Sequence, residues 1–302
     1  MTPRQPLPKR ALHVQIEHRY GSFEHFYHFL VGFLVPLVKF LYVDGAATQW
    51  DEVLVRSCGP MDQILDELHS PILRALPKAE HKALASQLPD DRRVTLRGLD
   101  FPDDYDAATF RVVSAAVKPL LADRLAVEAE RRDFFRGSSW PYVLLVERMP
   151  APPFYGSDES EMKTAGAERR SIGNHEALAR WLAHEFGSCL NVSLEEATLA
   201  RQVALFSAAD VIVAQHGAAL GNLIWARPGT YVVEICPRRG SGDEATEAVA
   251  NWVESGNPMG RLALCMDQRY ARVGQSGLHG DADLRELETI IRRDLREAVR
   301  AR

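Results

Sequence analysis

Three runs in the second half of the chain are almost wholly apolar: residues 142–147 (YVLLVE), 210–214 (DVIVA) and 230–235 (TYVVEI). A strand with one face in water alternates apolar and polar positions; a strand covered on both faces does not. Runs this short, rich in Val and Ile, read as buried strands of a parallel sheet. Helical patterns lie between them. Leu178, Trp181 and Leu182 mark the inner face of a helix from Asn174. Residues 193–196 (SLEE) have the spacing of a capping box and predict a helix running to Ala208. A further helix is expected over residues 218–225. Residues 188–192 and 262–266 read as additional strands, and residues 284–300 as a charged amphipathic helix with Leu287, Ile290, Ile291 and Leu295 on one side. The half therefore predicts a doubly wound α/β sheet, whose ligands sit beyond the carboxyl ends of the strands.

The first half alternates less regularly. Residues 11–17, 52–56 and 93–96 read as strands. Helices are expected over 21–41, with Ser22 as N-cap, and over 61–68 and 119–135. A chain of 302 residues accommodates two such cores better than one. Gly137-Ser138-Ser139 is the linker candidate. The expected organisation is a lobe over residues 1–136, a second over 140–275, and a C-terminal helix over 280–302 that crosses back toward the first.

Composition removes several function classes. Hydrophobic residues at 46% and charged residues at 25% are those of a soluble globular protein. A net charge of -5 gives no reason to expect nucleic acid. The most apolar stretch, residues 29–43, is interrupted by Pro36 and Lys39 and too short to span a bilayer. A cytoplasmic location, or one peripheral to a membrane, is expected, and a secretory lumen only if an anchor is missing from this chain. None of Cys58, Cys189, Cys236 and Cys265 forms a C-x-x-C pair or a zinc spacing. The last three lie in apolar runs and read as small buried hydrophobes.

The chemistry concentrates after the strands. The run from Val211 to Asn222 (VIVAQHGAALGN) is a strand, a tight turn and a helix start. Gly217, Ala218 and Ala219 leave backbone N–H groups uncovered at a helix N-terminus, which attracts phosphate oxygens. His216 is placed to donate to the same phosphate. The pattern is G-x-x-x-G, neither the dinucleotide fingerprint nor a Walker loop; the glycines alone are equally explained by close strand–helix packing. Glu234 ends an apolar strand and can accept two ribose hydroxyls, or pair with Arg227 or Arg238. Arg148 follows a strand and Arg169-Arg170 precede a helix. Arg suits bidentate phosphate contact, although paired Arg in a loop are often plain surface.

Arg148, Arg170-x-Ile172-x-Asn174, His216-Gly217-Ala218-x-Leu220-x-Asn222 and Pro228-Gly229-x-x-Val232-Val233-Glu234-Ile235 occur in that order. Together they resemble the signature of family 61 glycosyltransferases over about residues 142–235. The resemblance implies a GT-B fold of two facing Rossmann-like lobes, a nucleotide-sugar donor (usually a UDP-sugar), a glycan or other hydroxyl acceptor, and inversion at the anomeric carbon. It also implies that Arg148, Arg170 and Asn174 approach the diphosphate, that His216, Gly217 and Ala218 hold phosphate, with Asn222 in the same run, and that Glu234 holds the ribose. The nucleotide-sugar is then a co-substrate. No cofactor or metal is expected.

Phe26-Tyr27-His28-Phe29-Leu30 resembles the start of the family's first long helix. An acid often follows that His, but here none occurs before Asp44. His28, with His25 three residues earlier as fallback, is therefore the expected catalytic base, since imidazole accepts a proton near neutral pH. The alternative for both is a satisfied core histidine. Asp104-Tyr105-Asp106 spells D-x-D but sits in a Pro/Asp-rich stretch and reads as a solvated turn. Two other functions remain open at this point: an inactive nucleotide-sugar-binding module, and a nucleotide-dependent oxidoreductase, against which the missing dinucleotide fingerprint argues.

Overall fold

The structure, a computed structural model, describes residues 10–19, 21–132, 141–162, 165–240 and 243–300. The expected linker at Gly137-Ser138-Ser139 lies outside them, as does the Leu295 side chain. The protein is α/β, with two separate all-parallel sheets. The chain divides into two compact units. Met1–Arg124 and Asp158–Met162 form the first; Leu125–Ser157 and Lys163–Arg302 form the second. The boundary falls before the expected linker, and a short piece of the later sequence belongs to the first unit.

That piece is held by one buried carboxylate. Glu24 is fully buried and accepts from Lys78 Nζ at 2.6 Å, Ser160 Oγ at 3.0 Å and Glu161 N at 2.8 Å. Glu161 in turn accepts from Ser22 Oγ at 2.7 Å and pairs with Lys78 at 2.8 Å. Burial works to raise the Glu24 carboxyl, but Lys78, Ser160 and the backbone N–H hold it below the usual range, so it stays ionised.

In the first unit the strand order is β3-β2-β1-β4, with β1 Ala11–Glu17, β2 Glu52–Arg56, β3 Leu73–Leu76 and β4 Arg93–Arg97. The order reverses between β1 and β4, the switch point of this sheet. β3 and the helix Lys78–Ala85 had no clear apolar signal: only Leu76 of the strand and His81 of the helix are buried. The helix expected over 21–41 is instead a run from His28 to Val43 opened and closed by π turns. Pro36 has no N–H to donate, and Val35 N bonds Leu30 O, five residues back. The helix expected over 119–135 is two helices, Ala107–Leu120 and Ala122–Arg132, and Pro119 closes the first rather than opening the second. Asp106 caps the first, accepting from Ala108 N at 3.0 Å and Thr109 Oγ1 at 2.6 Å.

In the second unit the order is β6-β5-β7-β8-β9, with β5 Val143–Glu147, β6 Leu190–Ser193, β7 Val211–Gln215, β8 Tyr231–Pro237 and β9 Arg269–Gln275. The direction reverses between β5 and β7. The helix after β6 starts later than the capping box implied: Ser193 is still in the strand, and Thr198 caps Leu199–Ala208 by accepting from Arg201 N. The last strand is β9, not residues 262–266, most of which form the end of the helix Pro258–Cys265. β9 is an edge strand with half-buried residues, so it lacks an apolar run. The C-terminal helix Leu284–Arg300 belongs to the second unit. Its Leu287 and Ile291 join the core of this sheet with Leu145, Val213 and Val233, and Asp294 accepts from Tyr231 OH at 2.6 Å. All four cysteines are free thiols. Among the described residues no helix is long and apolar enough to cross a membrane.

The first unit carries a pH liability. His13 and His81 stack at 3.9 Å between ring centroids; both are buried, and each Nε2 meets a backbone carbonyl, His81 O at 3.0 Å and Val14 O at 3.1 Å. Burial lowers both imidazoles, His81 to about 4. The unfolded chain then binds protons that the folded chain does not, so stability falls as pH drops from about 6.5 toward 4. Denaturant unfolding of the first unit at pH 7 and pH 5 should differ by about 2 kcal/mol. Replacing His81 by Gln should shrink that difference; an unchanged one would place the proton uptake elsewhere.

Candidate functional site

The switch point of the second sheet gathers the expected residues. Arg148 follows β5 and His216-Gly217 follow β7, and Val146 pairs with Ala214, so the two exits lie side by side. Arg148 Nη2 donates to His216 O at 3.0 Å and Nη1 to Gly166 O at 3.5 Å. It reaches this position because residue 217 has no side chain: a Cβ there would collide with Nη2. Ala218 begins the next element, Ala218–Trp225, which is a 3-10 helix.

Arg170 is only 6% exposed, and its Nε and Nη1 are buried without a hydrogen-bond partner. Among the described residues neither Arg148 nor Arg170 pairs with a carboxylate. Burial pulls Arg148 down to about 10, opposed by Glu195 and helped by Arg169. Burial takes Arg170 to about 9, reinforced by Arg148 and Arg169. Both remain charged at neutral pH. Two desolvated cations that raise each other's energy, one with idle donors, make a site that an anion would relieve.

Beside them lies a buried polar chain. His216 Nδ1 is 2.5 Å from Glu234 Oε1, and Tyr270 OH donates to the other carboxylate oxygen. Burial holds the imidazole below its usual range; Glu234 opposes this, and Arg170 and Arg148 add to it. Burial would raise Glu234, but His216, Tyr270 and Arg272 hold it down. A neutral ring beside an ionised carboxylate carries its proton on Nδ1, which leaves a lone pair on Nε2. In that tautomer His216 donates to a phosphate only after taking up a proton. Glu234 pairs with neither of its suggested arginines: Arg227 pairs with Asp210 at 3.0 Å and Arg238 with Asp283 and Glu286. His216, Glu234 and Cys236 also bring three possible metal-ligand atoms within 4.8 Å of one another. Burial pushes the Cys236 thiol well up, so it is protonated, and the charge of Arg170 bears on both thiol and ring. These surroundings suit an anion better than a cation.

Two further expected residues spend side-chain hydrogen bonds inside the fold. Asn222 is fully buried, and its amide donates to Gln202 Oε1 at 2.8 Å and Ala219 O at 3.1 Å, tying the 3-10 helix to Leu199–Ala208. Asn174 uses both ends of its amide on Ala282, donating to O at 3.0 Å and accepting from N at 2.9 Å. Tyr270 went unnoticed because it lies on the half-exposed edge strand.

In the first unit, His28 Nδ1 is 2.7 Å from Asp100 Oδ2, and its ring is 22% exposed. The half-buried His25 ring lies nearly parallel to it, at 6.5 Å between centroids. Asp104 pairs with Arg97 and Arg19, and Asp106 is the helix cap already described, so the D-x-D carboxylates are committed to the fold.

The sequence model of the family described as Glycosyltransferase 61 matches residues 26–233, well over half of the chain. The chain belongs to this family. Glycosyltransferase 61 sequence thus spans His28, both arginines and the His216-Gly217-Ala218 turn, and ends one residue before Glu234. A curated relative, a protein O-linked-mannose beta-1,4-N-acetylglucosaminyltransferase 2 of Tetraodon nigroviridis, is 34% identical over 106 residues. That match covers 34% of this chain and 18% of the relative, so the chain aligns with a small part of that protein.

The unmatched charge makes a test. Replacing Arg170 by Met keeps the bulk and removes a desolvated cation without a partner. The variant should melt at or above wild type. Inorganic pyrophosphate at about 100 times its dissociation constant should stabilise wild type by ~2.7 kcal/mol and the variant far less. A variant that melts much lower but keeps the pyrophosphate shift would make Arg170 structural.

Proposed function

We propose that this chain transfers a sugar from a nucleotide-sugar, a UDP-sugar first, to a hydroxyl of a glycan or other acceptor, with inversion at the anomeric carbon. The observation that carries this reading is the pair of half-buried Arg148 and buried Arg170, which have no carboxylate partner among the described residues and lie beside the Gly217 turn at a switch point. The diphosphate would lie against them and the first N–H groups of Ala218–Trp225, the ordinary place for phosphate in a doubly wound sheet. Glu234 would act through His216, or on the ribose if the site opens to it. A base takes the acceptor's proton, the acceptor oxygen bonds the anomeric carbon, and the carbon–phosphate-oxygen bond breaks with its electron pair going to the diphosphate. Fixed guanidinium groups would stabilise that charge, a role that otherwise falls to a divalent ion. His28 is the proposed base.

The Tetraodon relative's name makes N-acetylglucosamine the first sugar to test and a mannose hydroxyl the first acceptor. The beta linkage in that name is what inverting displacement yields from an α-linked UDP-sugar.

Two results would decide the reading. A diphosphate beside His216 should raise its pKa, so UDP binding near pH 7 should take up protons; calorimetry in buffers of different ionisation enthalpy reads this directly. Glu234→Gln should weaken UDP binding and change the uptake, and unaltered binding and uptake would remove the His216–Glu234 pair from the site. Separately, His28→Ala should lower kcat by ~10²–10⁴ with UDP affinity nearly intact. Wild-type turnover in that variant would discard His28 as the base.

A further inference from the structure

The helix that bears His28 has no acid on it before Asp44, yet His28 is not without a carboxylate. One turn further along, Gly32 leaves a gap in the helix surface. A Cβ built there would stand 3.0 Å from Asp100 Cγ and 3.2 Å from Asp100 Oδ2, so the carboxyl of Asp100 fills the space where a residue-32 side chain would begin. From that gap Oδ2 reaches His28 Nδ1 at 2.7 Å, and the Asp100 side chain is only 4% exposed. Asp100 is delivered by the exit of β4, at the switch point of the first sheet, where Gly98 N donates to Glu17 O at 2.7 Å. Its backbone is fixed too: Tyr27 OH donates to Asp100 O at 3.1 Å. The other ring nitrogen is treated differently. His28 Nε2 lies over Gly21, where a Cβ would collide with it.

We propose that Asp100 is the positioning residue of the reaction, a carboxylate supplied from a neighbouring strand exit through the gap at Gly32, which fixes the proton of His28 on Nδ1 and leaves Nε2 as the base. This rests on the reading of His28 as base. The acceptor's O–H proton passes to Nε2 as the new glycosidic bond forms. Asp100 accepts from Nδ1–H and stabilises the imidazolium that results.

The test joins a tautomer measurement to turnover. Nitrogen NMR of histidine-labelled protein, with His28 assigned from the His28→Gln variant, should show a protonated Nδ1 and a lone pair on Nε2 in wild type, and a changed tautomer balance in Asp100→Asn. A wild-type His28 protonated on Nε2, or one indifferent to Asp100→Asn, overturns the proposal whether or not an acceptor has been found. With UDP-N-acetylglucosamine and a methyl mannoside as probe substrates, Asp100→Asn should lower kcat by about 10²-fold or more, leave the donor KM within about twofold, and be partly rescued by Asp100→Glu. Gly32→Ala, which crowds the carboxyl out of its gap, should reproduce both the tautomer change and the loss. If His28→Ala turns over normally, the reading of His28 as base fails. If His28→Ala is dead while Asp100→Asn is fully active, that reading survives and the role of Asp100 falls.

Discussion

A parallel sheet packed on both faces admits a polar side chain along its strands only where a polar partner meets it, and this constraint decides where the chemistry of the protein is found. Leu144, Leu145, Val213 and Val233 are all fully buried. Each strand can present a functional group only where it ends or where another polar group meets it. In both sheets the strand order reverses once, which separates the flanking connections and leaves an opening at the carboxyl edge. Arg148 and His216 occupy that edge in the second unit, and Asp100 in the first. The similarity between the units is thus one of topology: each brings a polar group out at the point where its winding changes direction.

The second unit concentrates charge of one sign there. A buried arginine is usually matched by a carboxylate, and Glu234, whose charge acts on Arg170, is spent on His216 and Tyr270. Burial and the two arginines hold the ring below its usual range against the pull of Glu234, while His216 and Tyr270 hold the carboxylate down, so the local positive charge comes from Arg148 and Arg170. Leaving two guanidiniums without a carboxylate, one of them with idle donors, costs stability, and proteins accept such costs chiefly where binding recovers them. The neutral His216 adds a second feature: its proton count can respond to whatever anion sits against it.

Much of this was legible in the residues. The runs Leu144–Val146 and Val211–Ala214 identify themselves because complete burial demands uninterrupted apolar side chains. Arg148, Arg170 and the His216-Gly217-Ala218 turn could be named because strand exits are easy to find once the strands are. Edge elements were harder. β3 and β9 are half-exposed, so packing imposes no pattern on them, and Tyr270 was hidden with β9. Asn174 and Asn222 matched the family pattern, but only coordinates reveal that Ala282 takes both ends of the Asn174 amide and that the Asn222 nitrogen is bonded to Gln202 and Ala219. The partner of His28 was invisible for a different reason: Asp100 lies 72 positions away and enters through an absence, the missing side chain of Gly32.

The excursion of Asp158–Met162 into the first unit bears on the order in which the protein can be made. Glu24 appears early during synthesis, and its lysine partner soon after, but Ser160 and the Glu161 amide emerge only once the chain has passed through the start of the second unit. Until then the first unit holds a carboxylate whose remaining donors have yet to be translated. A ribosome-bound fragment ending near residue 124 therefore cannot reach the finished packing around Glu24, and the first unit must wait for part of its successor before it closes.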